Sequence, residues 1–179
     1  MRRLDGSGDF NRSWDEYKQG FGDASGEYWL GNEYLHYLTS SRAYKLRFDL
    51  EAWDGERRYA EYSSFSIQPE NLNFQVQIGA YTGNASINQN DDTLQGFLYH
   101  NNMQFTTADR DNDLRPTDSC IDKWGHNPFW FGDCSEVTIL NNGCGQSRCS
   151  RLVADSNRWY AWRGERYSMK KVKMMFKPV

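Results

Sequence analysis

"AYKLRFDLEAW", residues 43–53, decides the fold class. Tyr44, Leu46, Phe48 and Leu50 alternate with Lys45, Arg47, Asp49 and Glu51. Side chains two apart share a face in an extended backbone, so this is a strand with one buried and one wetted side. That is the signature of an antiparallel sheet. Working outward, "RRYAEYSSFSI" (57–67) and "FQVQIGAY" (74–81) continue in similar character, separated by turn residues around Pro69–Asn73. At the C-terminal end "KKVKMMFK" (170–177) sets Val172, Met174 and Phe176 against lysines, predicting a closing strand. Upstream, "WDEYKQ" (14–19) and "NEYLHYLT" (32–39) read as short helices. The second starts from an Asn32 cap with Leu35 and Leu38 on one face.

Between about 80 and 157 periodicity fades and Gly, Asn and Asp accumulate. A long irregular stretch inside a folded protein is usually functional or stapled. No repeat or low-complexity linker interrupts the 179 residues, so the expectation is a single α+β domain over 1–179. "MRRLDGSGDF" reads as an expression start, which predicts a longer natural protein. The net charge of −3 leaves no nucleic-acid footprint and no polybasic membrane patch. No apolar run reaches the ~20 residues of a membrane span, and no signal peptide is visible. Aromatic residues make up 16% of the sequence, which implies either a ring-rich core or a surface that stacks ligands.

Cysteine is absent through residue 119, and then Cys120, Cys134, Cys144 and Cys149 follow closely. An even number in a Gly- and Asn-rich segment points to disulfides in an oxidising compartment, with a zinc site as the rival reading. Sequons at Asn11 and Asn84 agree with secretion and glycosylation.

"ADRDNDLRPTDSC" (108–120) places Asp109, Asp111 and Asp113 at alternate positions. An EF-hand begins this way but requires Gly at its sixth position and Glu at its twelfth, where this sequence has Leu114 and Cys120. The EF-hand is excluded. Converging carboxylates still suit calcium of another coordination, since the ion takes six to eight oxygens, carbonyls included. The plain alternative is a solvated acidic turn.

Catalytic signals are lacking. The histidines are His36, His100 and His126, and no G-x-S-x-G elbow, H-E-x-x-H, P-loop or dinucleotide fingerprint is present. A Ser135–His126 pair has nothing to mark it beyond composition. The sequence reads as a non-enzyme.

Five segments carry a resemblance: "RRLDGSGDFNRSWDEYKQGFG" (2–22), "GEYWLGNEYLHYLT" (26–39), "YAEYSSFSI" (59–67), "YHNNMQFTTADRDND" (99–113) and "WYAWRGERYSMKKVKMMFKP" (159–178). In order and spacing the sequence resembles the fibrinogen C-terminal, or fibrinogen-related, domain family, without the N-terminal subdomain that usually precedes "RR". The resemblance implies a secreted α+β fold: a twisted, mainly antiparallel sheet, plus a loop-built subdomain at about 80–157 that holds calcium and a binding pocket. It implies a ligand-binding module.

By the same resemblance, calcium is held by the side chains of Asp111 and Asp113 and the carbonyls of Arg115 and Thr117, with Asp109 in an outer-shell or turn-stabilising role. One residue more than the family pattern lies between Asp113 and Cys120, and Pro116 is unusual there. Cys120 and Cys134 resemble the loop disulfide of the family. A cis Asp133–Cys134 peptide is implied, turning backbone N–H groups toward a ligand.

The pocket departs from the pattern, with Ser135 where His is frequent, Val153 and Ala154 where sugar binders have Tyr-Ala, and Glu165 at an aromatic or Arg position. Trp124, His126, Phe129, Trp130 and Phe131 are either replacement rings or core. Cys144 and Cys149 have no counterpart. They are expected to pair locally, with crossed or intermolecular pairing as the alternatives. The functional expectation is a lectin-like module for glycans or acetylated microbial surface groups in innate immunity. The alternative is a module for a receptor or matrix protein. In either case oligomerisation elsewhere in the full-length protein would add avidity.

Overall fold

The computed structural model describes residues 1–86, 96–124, 127–141, 145–147 and 156–179. The strands in sequence order are β1 (Arg2–Arg3), β2 (Phe21–Gly22), β3 (Tyr28–Trp29), β4 (Tyr44–Glu51), β5 (Arg57–Tyr62), β6 (Phe65–Ile67), β7 (Val76–Ile78), β8 (Tyr81–Gly83), β9 (Phe105–Thr106), β10 (Phe129–Trp130), β11 (Val137–Thr138), β12 (Arg158–Trp159) and β13 (Lys171–Pro178). The helices are α1 (Trp14–Gln19), α2 (Asn32–Ser41), α3 (Cys120–Trp124) and α4 (Tyr160–Arg163). A seven-stranded antiparallel sheet runs β2-β3-β1-β13-β4-β5-β8.

The alternation in 43–53 places β4 inside this sheet, between β13 and β5. Leu46, Phe48 and Leu50 are buried on its inner face together with Val172 and Met174 of β13. The expected strand at 74–81 splits. Val76–Ile78 pairs with β6 in a separate ribbon, and only Tyr81–Gly83 joins the main sheet. Phe74, at φ 47°, lies in the connection between the two strands of the ribbon.

The aromatic residues are chiefly core. Phe48 meets Phe97 and Trp159 at ring separations of 5.0 and 5.2 Å. Buried indoles find acceptors, as an apolar interior requires. Trp130 donates to the Phe74 carbonyl at 2.8 Å and Trp159 to the Ala85 carbonyl at 2.9 Å. Phe129, Trp130 and Phe131 are all at most 1% exposed, so they are core and not ligand platforms.

Helix α1 is capped by Ser13 in a reciprocal box with Glu16. For α2 the cap differs from expectation. Gly31, at φ 108°, is the N-cap and Asn32 is the first helical residue. A Cβ on Gly31 would lie 2.8 Å from the Gln19 carbonyl oxygen, so the approach of the two helices requires glycine. Asn32 instead accepts the Trp29 indole N–H at 3.1 Å. His36 is structural, its Nδ1–H donating to the Ile67 carbonyl at 2.8 Å.

A buried ion pair locks the first strand to the sheet. Arg3 and Glu27 meet at 2.8 Å with both side chains at most 2% exposed. The Glu27 carboxylate also accepts backbone N–H bonds from Leu4, Asp5, Gly6 and Gly8. Arg3 donates onward to the Asn141 carbonyl at 2.7 Å.

Candidate calcium loop and binding site

The acidic run divides by direction. Thr107 and Arg110 close a tight turn through reciprocal backbone bonds of 3.0 and 3.1 Å. That reversal rotates Asp109 away from its neighbours. Its carboxylate reaches helix α1, accepting the Trp14 backbone N–H at 3.0 Å and supplementing the Ser13 cap. Asp109 is thus turn- and cap-stabilising, the second of its two expected roles.

Beyond the turn the two-residue alternation holds. Asn112 points inward, its side-chain amide donating to the Phe105 carbonyl at 2.8 Å and its backbone N–H to Thr106 Oγ1 at 3.1 Å. Asp111 and Asp113 therefore share the other side. Asp113 accepts the N–H groups of Arg115 and Cys120 at 2.8 and 2.7 Å, and Asp111 accepts the Asp113 N–H at 3.1 Å. Burial pushes the Asp113 carboxyl above the usual carboxylate range, and the adjacent Asp111 charge adds to this.

The donor chemistry fits calcium: two neighbouring carboxylates whose repulsion a cation would relieve, in a loop whose Arg115 and Thr117 carbonyls are further hard oxygens. Among the described residues no group of three or more His, Cys, Asp or Glu is gathered for a metal. Such a site therefore depends on carbonyl and water oxygens for most of its coordination.

The Arg115 side chain ties the two loops together. Its guanidinium bridges Asp118 and Asp133, each at 2.5 Å. Sequence reasoning missed this side chain, although an Arg among several nearby Asp was a visible signal. The Leu114 N–H donates to the Gly132 carbonyl at 3.1 Å. Cys120 and Cys134 form the disulfide with Cα atoms 5.6 Å apart, and the Asp133–Cys134 peptide is cis. The acidic loop and the Cys134 loop are thus joined by a covalent bond, an ion pair and backbone bonds.

Beside Cys134, Arg158 is 6% exposed and its guanidinium donates to the carbonyl and hydroxyl of Ser135, the latter at 3.0 Å. Burial pulls the Arg158 guanidinium down, while Glu136 and Glu165 act to hold it charged. Burial raises the Glu136 carboxyl, and its Oε2 has no hydrogen-bond partner among the described residues. Of the expected pocket residues, the structure brings Asp133, Cys134, Ser135 and Glu165 to this region, with Asp133 and Glu165 exposed. Arg158 and Glu136 were not foreseen, because nothing in "NRWYAW" or "CSEV" distinguishes a pocket charge from a surface one. His126, Val153, Ala154, Cys144 and Cys149 lie outside the described residues, as does the Trp124 side group.

His100 underlies this region. It is fully buried, its Nδ1–H donates to the Trp130 carbonyl at 2.6 Å, and its Nε2 accepts the Val137 N–H at 3.2 Å. Burial pulls its pKa down to about 3, so it is a neutral bracket between β10 and β11.

Comparison with known proteins matches this architecture throughout. The family model for the C-terminal globular domain of the fibrinogen beta and gamma chains matches residues 1–179. The sequence is 39% identical over 178 residues to human angiopoietin-related protein 2, covering 99% of this protein and 34% of that one. Human angiopoietin-related protein 7 is 39% identical over 181 residues, with 99% and 48% covered. The 179 residues thus span between a third and a half of these relatives. Among solved structures, the fibrinogen-like globe domain of human ANGPTL2 superposes with a TM-score of 0.90 at 39% identity, covering 99% of this protein and 78% of that one. A lamprey fibrin D-dimer, described as complexed with the peptide ligand Gly-His-Arg-Pro-amide, gives 0.84 at 32% identity, covering 99% and 59%. The protein is a non-enzymatic binding module with the fibrinogen-like globe fold, and it belongs to the fibrinogen C-terminal domain family.

Proposed function

We propose that this domain is a calcium-stabilised protein-recognition module of a secreted protein, engaging a receptor or matrix partner through the loops around Asp113, Leu114 and Asp133. One observation carries the reading. Leu114 is 64% exposed, yet it stands on a loop fixed by Asp113, by Gly132 and by the Arg115 bridges. A rigid, exposed apolar side group rimmed by charge is suited to a protein interface.

The relatives support the protein-partner alternative over the glycan preference drawn from sequence, since they are angiopoietin-related. A fibrinogen-fold neighbour described with a peptide ligand supports the same class. The disulfide fits an oxidising, extracellular location, and Asn11 and Asn84 are exposed as glycan acceptors must be. Asp111 and Asp113, with the Arg115 and Thr117 carbonyls, would hold calcium and stiffen the loop that presents Leu114.

The test is binding of the labelled domain to cultured cells. Binding is expected to vanish after trypsin treatment of the cells, to ignore free N-acetylglucosamine, and to be lost in Leu114→Asp. Binding that survives trypsin and is competed by N-acetylglucosamine would reverse the order of the two readings.

A further inference from the structure

The net charge of −3 conceals an asymmetry. On the outer face of the main sheet, Arg47, Arg57, Lys171 and Lys173 line a concavity of 420 Å³ whose lining carboxylates, among the described residues, are Asp49 and Glu51. Both acids are engaged within the sheet, Asp49 by Arg47 at 2.7 Å and Glu51 by Arg57 at 3.1 Å. Lys173 lies opposite Asp49 on one side and opposite Arg2 of β1 on the other. Directly opposed like charges on one sheet face are destabilising, and Arg2–Lys173 is such a pair. A bound anion would relieve it.

The groups are spaced by the sheet lattice. Lys171 and Lys173 are two residues apart on β13, so about 6.8 Å separates them along the strand, with neighbouring strands at about 4.8 Å. Fixed cations in an open groove at that pitch suit an extended polymer with repeated fixed anions better than one small ion. The aromatic ring in the concavity, Tyr59, is covered by the Arg47 guanidinium at 4.3 Å. Among the described residues no second ring lines the concavity, whereas single-stranded nucleic acid binding relies on successive rings that stack its bases.

We propose that this sheet face binds a linear sulfated polysaccharide. The site shares no residue with the Asp113–Asp133 loops, so the two functions are separable. A domain that docks on a receptor through its loops would be retained in the matrix through its sheet.

The experiment measures fluorescence anisotropy of a labelled heparin oligosaccharide titrated with the intact protein at low ionic strength. Saturable binding that weakens with added salt is expected, and Lys171→Thr/Lys173→Thr is expected to weaken it about tenfold or more. The charge-matched control Arg12→Ser/Arg166→Ser is expected to stay within about twofold, since these residues lie outside the concavity. Equal affinities for the double variant and the control would overturn the proposal. So would equal binding of desulfated heparin or of a length-matched single-stranded DNA. If the double variant melts early, Arg57→Gln reports on the same face, and unchanged binding in that variant also overturns it.

Discussion

Cys120 donates its backbone N–H to Asp113 Oδ2 at 2.7 Å while its sulfur is bonded to Cys134. One residue thereby belongs to both the acidic loop and the pocket loop. Any cation that fixes the Asp113 carboxylate also restrains the segment that carries Asp133, Cys134 and Ser135.

Calcium at Asp111 and Asp113 predicts a melting temperature that is higher in millimolar calcium than in EDTA. A ligand that binds only the native state stabilises by about 2.7 kcal/mol at a hundredfold excess over its Kd. Asp111→Asn should abolish the response with little effect in EDTA. Asp113→Ala should abolish it and also cost about 1–3 kcal/mol in EDTA, because two part-buried N–H groups lose their acceptor. Identical wild-type melting curves in calcium and in EDTA would remove calcium from the account.

Asp109→Ala should behave differently. Its carboxylate caps α1 and does not face Asp111, so the variant should lose about 1 kcal/mol in urea unfolding and keep the full calcium response. A lost response would place Asp109 among the ligands.

His100 predicts a pH dependence. Its pKa is lowered from 6.5 to about 3 in the folded protein, so between these values the unfolded state binds the extra proton. Stability is therefore complete above about pH 6.5 and declines as pH falls, by about 1.4 kcal/mol per pH unit from this group. Gln can supply both a donor and an acceptor without titrating, so His100→Gln should flatten the fall between about pH 7 and about pH 5 in denaturant titrations. Parallel slopes for the two proteins would assign the fall to other groups.

Glu27→Gln tests the buried pair. The substitution leaves the Arg3 charge buried without its counter-ion and weakens the acceptor for four backbone N–H groups. Breaking one side of such a pair costs about 3–5 kcal/mol. Urea unfolding should show this loss at neutral pH, whereas a change below about 1 kcal/mol would mean that water replaces the carboxylate freely.

The elements set by local pattern were legible. The period of two in 43–53 became an interior strand of the main sheet, and the acidic run with its terminal cysteine became a loop tied to a disulfide. The resemblance drawn from five segments placed the fold and the cis Asp133–Cys134 bond. The misreadings came where a neighbour distant in sequence decided the geometry. Asn32 looks like a cap from its own surroundings, but the Gln19 carbonyl leaves room only for Gly31 at that point, and Trp29 engages the Asn32 amide. For the rings in "FWF" the sequence left the ligand and core readings both open, since their composition is the same in either case. Only the sheet packed behind them makes them core.

From the sequence alone came the antiparallel strands at 43–53 and 170–177, the short helices at 14–19 and 32–39, and with them a sheet-and-helix class. Those features depend on residues near in sequence, whose periodicity and spacing are visible in one dimension. Tertiary structure alone decided that Asp109 serves a helix 95 residues away, that Arg3 reaches Asn141 across 138 residues, and that Arg115 holds Asp133. It also placed Arg2, Lys173 and Asp49 in one row of the sheet. A charge is recorded in the sequence, but its partner is set by which strands become neighbours. That follows from burying the apolar faces together, a property of the whole molecule.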